Sequence, residues 1–188
     1  MGRAGFVLAG GKSSRMGSDK ALLPFRGAAL ACHVASAVQT AAGSVALIGD
    51  PQKYAHLGFP VFPDLSPGAG PLGGIASALT YTAADWNLLV ACDMPAITPE
   101  LMADLLHLAE SSHADALVPA GPSGRLEPLC AVYHRRCLAA LEQALASGVR
   151  KVTAALAGLD LHIRQMENPS CFENLNTPED WACYHDAH

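Results

Sequence analysis

The chain lacks any apolar run approaching the 18 or more residues of a membrane span, so nothing in its 188 residues reads as a transmembrane helix. Its first residues, MGRAGFVLAGG, have neither the longer apolar segment nor the small-residue site of a cleavable signal, and the expected location is the cytoplasm. Basic residues are scarce. Twelve Lys and Arg against 17 Asp and Glu leave a net charge of −5, which argues against the extended basic face that nucleic-acid duplexes require. The six cysteines contain no C-x-x-C pair and mostly sit in apolar or periodic segments, so they read as reduced core thiols. The eight histidines are scattered, and Cys183 with His185 and His188 is too sparse for a zinc site. No repeat or low-complexity segment interrupts the chain. A content of 51% hydrophobic and 15% charged residues suits one domain, 1–188, with a sizeable core.

The few basic residues are unevenly placed. Four of the twelve lie between Lys12 and Arg26, and from Gly27 to Gly124 the only other one is Lys53. This cluster follows a short apolar run, Phe6-Val7-Leu8-Ala9, which reads as a buried strand breaking into a loop of Gly, Ser and basic residues. Gly10 and Gly11 carry no Cβ, so the backbone there can turn sharply and offer N–H groups to an anion, while Lys12, Arg15 and Lys20 supply charge. The loop is built to hold phosphate. It is not a Walker loop, because counting back from Gly11-Lys12-Ser13 puts Phe6, inside the strand, where the first Walker glycine belongs. A second glycine motif is a decoy. Gly68 to Gly73 matches G-x-G-x-x-G with Asp93 20 residues beyond, yet Pro63, Ser66 and Pro67 separate it from the preceding strand, where a dinucleotide fingerprint turns directly into its helix.

In chain order, Ala21 to Phe25 reads as an extended piece leading to a helix over Ala28 to Ala42, stopped by Gly43. Val45 to Ile48 is a strand, Gly49-Asp50-Pro51 a turn, and Phe59 to Phe62 a third strand. A helix is expected over Pro71 to Ala83, and the continuous apolar run Trp86 to Cys92 reads as a central buried strand ending at Asp93. Thr98-Pro99-Glu100 opens the next helix. Asp115 to Pro119 and Pro128 to Tyr133 are strands, Arg135 to Ser147 and Lys151 to Ala157 helices, and Leu161 to Gln165 a strand. Thr177-Pro178-Glu179-Asp180 has the spacing of a capping box and opens a last helix. Strands alternating with helices predict an α/β three-layer sandwich with a mostly parallel central sheet.

In such a sheet ligands bind beyond the carboxyl ends of the strands, and both the first loop and Asp93 follow such ends. Asp93 either caps the turn before Met94-Pro95 or faces the loop's cations across a bound phosphate as a Mg²⁺ ligand. The Asn174-Leu175-Asn176 triplet precedes the capping box, and Arg150-Lys151 by itself reads as a solvated face.

The pattern L-A-G-G-x-S-x-R-M-G-x-D-K, from Leu8 to Lys20, fixes ten positions over thirteen residues and resembles the molybdenum cofactor guanylyltransferases. The resemblance runs from Phe6 to about Trp181 and implies a nucleotide-diphospho-sugar transferase-like fold. It implies GTP bound by Leu8, Ala9, Gly10, Gly11, Arg15, Lys20, Asp64, Gly73 and Asp93, with Arg15, Lys20 and Asp93 as the catalytic set. Asp64 and the Gly70 to Gly74 helix start are the nucleoside-facing part, and Asp93 carries Mg²⁺, with Mn²⁺ as the alternative. Pro128, Arg150, Asn174 and Asn176 fall on segments associated with the pterin acceptor. The expected partners are therefore GTP and molybdopterin, with transient contact to other molybdenum cofactor biosynthesis proteins. One departure concerns the second strand, where family members commonly carry an Asn and this chain reads Ile48-Gly49-Asp50, leaving backbone groups or Asp50 as substitutes. The LAGG turn favours guanine, since related cytidylyltransferases tend to read L-A-A-G.

The implied reaction joins the terminal phosphate of molybdopterin to the α-phosphorus of GTP and expels diphosphate. A phosphate monoester, with a second pKa of about 6, is already largely a dianion at neutral pH, so no protein nucleophile or strong base is required. Alignment and charge neutralisation carry the catalysis. Three rival readings share some of these features: a cytidylyltransferase for the same acceptor, a sugar-1-phosphate nucleotidylyltransferase, and a non-catalytic nucleotide or pterin adaptor.

Overall fold

The structure is a computed structural model and describes residues 2–10 and 19–175. β1 (Arg3–Leu8) is an interior strand of a seven-stranded sheet. After it come a 3₁₀ turn at Lys20–Leu22, the tiny hairpin β2 (Pro24–Phe25) and β3 (Ala28–Ala29), and helix α1 (Leu30–Ala42). β4 (Val45–Ile48), α2 (Pro51–Tyr54), β5 (Val61–Phe62), α3 (Pro71–Tyr81), β6 (Trp86–Ala91) and α4 (Pro99–Ser111) follow. The second half holds β7 (Ala116–Ala120), β8 (Cys130–His134), α5 (Leu138–Ala146), α6 (Val152–Ala155) and β9 (Leu161–Gln165).

The strand order is β5-β4-β1-β6-β8-β7-β9. β1 is parallel to both β4 and β6, pairing Phe6 with Ala46 on one side and with Leu89 on the other. Only β8 runs against its neighbours, β6 and β7. The connection from β7 to β8 is too short for a crossover helix, so the returning strand has to be antiparallel. The expected α/β three-layer architecture with a mostly parallel sheet is the one found.

Alternation along the strands makes the layers. Val7, Leu47 and Val90 face one side, where α1 and α4 cover them with Val34, Val38, Met102 and Leu105. Phe6, Ile48 and Leu89 face the other, under Leu72 and Ile75 of α3 and Leu141 of α5. Strands buried on both faces are the reason Val45–Ile48 and Trp86–Ala91 read as unbroken apolar runs.

Several boundaries differ from the sequence expectation for local reasons. The stretch after Asp19 is a 3₁₀ turn rather than extended chain, because the Asp19 side chain accepts the Ala21 N–H and caps it. The Gly49-Asp50-Pro51 turn is the start of α2, with Asp50 Oδ1 accepting the Gln52 N–H at 2.9 Å and Pro51 in the first turn. Asp50 is exposed and occupied as a cap. The strand expected over Phe59 to Phe62 pairs only at Val61–Phe62, and the helix expected from Arg135 opens as a 3₁₀ turn, Arg135–Cys137, before α5. The helix expected at Thr177 lies outside the described residues. Of the cysteines among the described residues, all five are free thiols, and Cys92, Cys130 and Cys137 are buried.

Candidate active site

β1 and β6 are neighbours pointing the same way, and the chain leaves them toward opposite edges of the sheet, β1 toward β4 and β6 toward β7. Such a point opens a crevice beyond the strand ends, because the two connections diverge. A cleft lies there, lined at its centre by Leu8, Ala9 and Gly10 from the end of β1 and by Ala91, Cys92 and Asp93 from the end of β6. A backbone bond holds the two ends in register, the Cys92 N–H donating to Leu8 O at 3.2 Å, and on the other side the Ala9 N–H donates to Ile48 O at the end of β4 at 2.9 Å.

Lys20 and Asp93 meet across this cleft. Lys20 Nζ lies 3.4 Å from Asp93 Oδ2, and the two side chains are 17% and 20% exposed, so the pair is sheltered yet open to a ligand. The Lys20 position follows from the capped 3₁₀ turn, which begins at that residue. Asp93 is placed by the end of the central strand, and its carbonyl accepts the Leu175 N–H at 3.0 Å, which brings Asn174 to the cleft wall.

The opposite wall comes from Asp64 and from Gly70, Pro71 and Gly74 at the start of α3. Asp64 Oδ1 accepts the Ser66 N–H at 2.9 Å and the Ser77 hydroxyl at 3.1 Å, so the loop and the helix orient its carboxylate. The N-terminus of α3 has Pro71 in its first turn and no side-chain cap, leaving its N–H groups to other acceptors. Gly73 is turned toward Ser66 and packs there; its neighbours Gly70 and Gly74 line the cleft.

The pterin-segment residues are divided. Asn174 lines the cleft and also borders a second, more polar hollow formed by Ser123, Arg125, Glu127 and Phe172. Pro128 lends its carbonyl to the Tyr133 hydroxyl at 2.8 Å, and it is the adjacent Leu129 that lines the cleft. Arg150 lies elsewhere, its guanidinium donating to the Leu145 and Val149 carbonyls at the end of α5. Gly11, Arg15 and Asn176 lie outside the described residues. Asp19, fixed in the sequence motif but given no role there, also lines the cleft; its cap spacing ahead of the Lys20 turn was the available signal.

The chemistry of the lining is electrostatic. Burial, and next Asp93, push the Cys92 thiol up to about 12, so it is not a thiolate at neutral pH and supplies no nucleophile. Burial also holds the Glu127 carboxyl above its ordinary range, opposed by Arg125, whose Nε stands 3.3 Å away. Among the described residues no group of three or more His, Cys, Asp or Glu could by itself hold a metal ion. The Asp93 carboxylate at an open cleft fits Mg²⁺, which characteristically takes one or two protein carboxylates and completes its shell with phosphate oxygens and water. Among the described residues, no helix is long and apolar enough to cross a membrane.

Comparison with known proteins agrees with this architecture. A MobA-like NTP transferase domain matches residues 5–161. A protein of Nostoc sp. named probable molybdenum cofactor guanylyltransferase is 36% identical, over 94% of this chain and 87% of its own length. One of Deinococcus radiodurans with the same name is 37% identical, over 94% and 90%. The crystal structure of molybdopterin-guanine dinucleotide biosynthesis protein A from Archaeoglobus fulgidus superposes with a TM-score of 0.85 at 26% identity, covering 98% of this chain and 97% of that one. With the domain matched over most of its length and relatives above 30% identity spanning nearly all of it, this chain belongs to the MobA-like NTP transferase family and is a nucleotidyltransferase.

Proposed function

We propose that the chain transfers GMP from GTP to the terminal phosphate of molybdopterin, releasing diphosphate. The observation that carries this reading is the Lys20–Asp93 pair at 3.4 Å, a cation at the start of the Asp19-capped turn facing a carboxylate just beyond the end of β6. The names of the guanylyltransferase relatives support the choice of nucleotide and acceptor.

The terminal phosphate of the acceptor attacks the α-phosphorus of GTP, one P–O bond forms, and the bond from the α-phosphorus to the bridging oxygen breaks. The acceptor is a dianion near neutral pH, which is consistent with a cleft whose cysteine is protonated. Leu8, Ala9 and Gly10 contribute backbone at the phosphate end, and Lys20 neutralises charge as it moves onto the leaving diphosphate. Arg15 has the same task in this reading, and Asp64 faces the ribose. Asp93 would hold Mg²⁺, which when bound screens the phosphates from one another. Asn174 stands at the acceptor end, where the cleft adjoins the second hollow.

Melting the protein with GTP, CTP, ATP or UTP at equal concentration, with and without Mg²⁺, tests the nucleotide half, since a ligand of the folded state raises the melting temperature by mass action. GTP is expected to give the largest shift, and only with Mg²⁺. A larger shift with CTP would move the assignment to the cytidylyl branch.

A further inference from the structure

Tyr54 lies on α2, away from the cleft lining, yet its side chain is buried at 3% exposure and its hydroxyl reaches back to the phosphate loop. The oxygen stands 2.7 Å from the Ala9 carbonyl and 2.8 Å from Asp19 Oδ2. Ala9 directly follows β1, and Asp19 immediately precedes Lys20, so one hydroxyl bridges the two flanks of the loop. Its single proton is shared between two acceptors, and burial followed by Asp19 hold the phenol well above its ordinary range, keeping it a donor.

The other Asp19 oxygen, Oδ1, accepts the Ala21 N–H at 3.2 Å and so caps the turn that carries Lys20. Lys53 Nζ, 3.8 Å from Asp19 Oδ2, adds charge to the same carboxylate from α2. The contacts thus run from Tyr54 to Asp19, to the Lys20–Leu22 turn, and through Lys20 to Asp93.

Gly49 makes this geometry available. A Cβ built at Gly49 would come 2.6 Å from Tyr54 Cε2 and 2.9 Å from Cδ2, so the ring occupies the space that any larger residue would need. Gly49, having no side chain, leaves room for the Tyr54 ring.

We propose that Tyr54 is a positioning residue for nucleotidyl transfer: its hydroxyl fixes Asp19, and through Asp19 the turn that presents Lys20 to the phosphates opposite Asp93. This rests on the reaction proposed above, so the test has one arm that needs no substrate. Hydrogen exchange on the nucleotide-free full chain should show the Ala21 and Leu22 amides exchanging about tenfold faster in Tyr54→Phe, with the α1 and α4 amides unchanged, because a hydrogen bond to a charged group contributes on the order of a tenfold equilibrium factor. In the transfer assay Tyr54→Phe should lower kcat about tenfold and leave KM for GTP within about threefold, since Lys20 would be misplaced chiefly for charge developing in the transition state. Gly49→Ala keeps the hydroxyl but displaces the ring and should lower kcat in the same way. Wild-type exchange at Ala21 and Leu22 together with wild-type kcat in Tyr54→Phe would overturn the proposal. An inactive wild-type protein would instead count against the reaction, and the exchange comparison would then decide on Tyr54 alone.

Discussion

Lys20 and Asp93 are 73 positions apart in the sequence and 3.4 Å apart in the structure, Lys20 opening the turn capped by Asp19 and Asp93 standing just beyond the end of β6. The capped turn and the end of β6 therefore share one cleft and define one chemical environment.

Lys20→Ala removes the described cation opposite Asp93. A charged hydrogen bond contributes roughly 1.5–3 kcal/mol, so turnover should fall about tenfold to a hundredfold. Steady-state kinetics with saturating acceptor would show this, and unchanged kinetics would remove Lys20 from the mechanism.

Asp93→Ala should abolish the part of the GTP-induced melting shift that depends on Mg²⁺, while the melting temperature without nucleotide changes little. If Mg²⁺ still deepens the shift in the variant, the ion is held elsewhere.

Asp115 tests the electrostatic reading away from the site. Its Oδ1 lies 2.6 Å from Arg136 Nε and its Oδ2 accepts the Asp160 N–H at 3.0 Å; these contacts hold its pKa below the ordinary 3.8. A carboxylate with a depressed folded-state pKa stabilises the fold above its unfolded value, and that stability is lost as pH falls through the folded value. Asp115→Asn should therefore melt lower than wild type at pH 7, and the two should converge as the pH drops below 3.8. Melting curves across this range would contradict the account if the difference stayed constant.

Gly5 tests the packing of β1 on α1. A Cβ there would sit 2.3 Å from Val38 Cγ1 and 2.8 Å from the Ser44 carbonyl, one contact being with backbone. Overpacking of this kind costs about 1–3 kcal/mol, so Gly5→Ala should lower the melting temperature by roughly 2–12 °C. A variant as stable as wild type would mean that Val38 repacks freely.

Much of this was legible in the sequence. Val45–Ile48 was readable to the residue, because an apolar run and its bounding turns are local signals, and the strand near Leu161 to Gln165 was found as well. Gly10, Lys20 and Asp93, singled out by residue type and, for Gly10 and Asp93, by their place after strands, do line one cleft. What the sequence hid is relational. Nothing in Cys130–His134 says that it inserts antiparallel between β6 and β7, since pairing direction follows from the length of the connection and the neighbours available. Tyr54 reads as one aromatic in a short polar stretch, and its part in holding Asp19 depends on a contact 35 residues away. Arg150 carried charge in a promising segment, but the end of α5 offered its guanidinium nearer acceptors.

The central claim is most directly tested by incubating the purified chain with molybdopterin, Mg²⁺ and GTP labelled at the α-phosphate, and following both label and diphosphate. The account predicts that the label moves into a pterin guanine dinucleotide with one diphosphate released per product and that neither product appears when CTP replaces GTP. Transfer from CTP but not GTP, or no diphosphate from any nucleotide in the presence of the pterin, would contradict it.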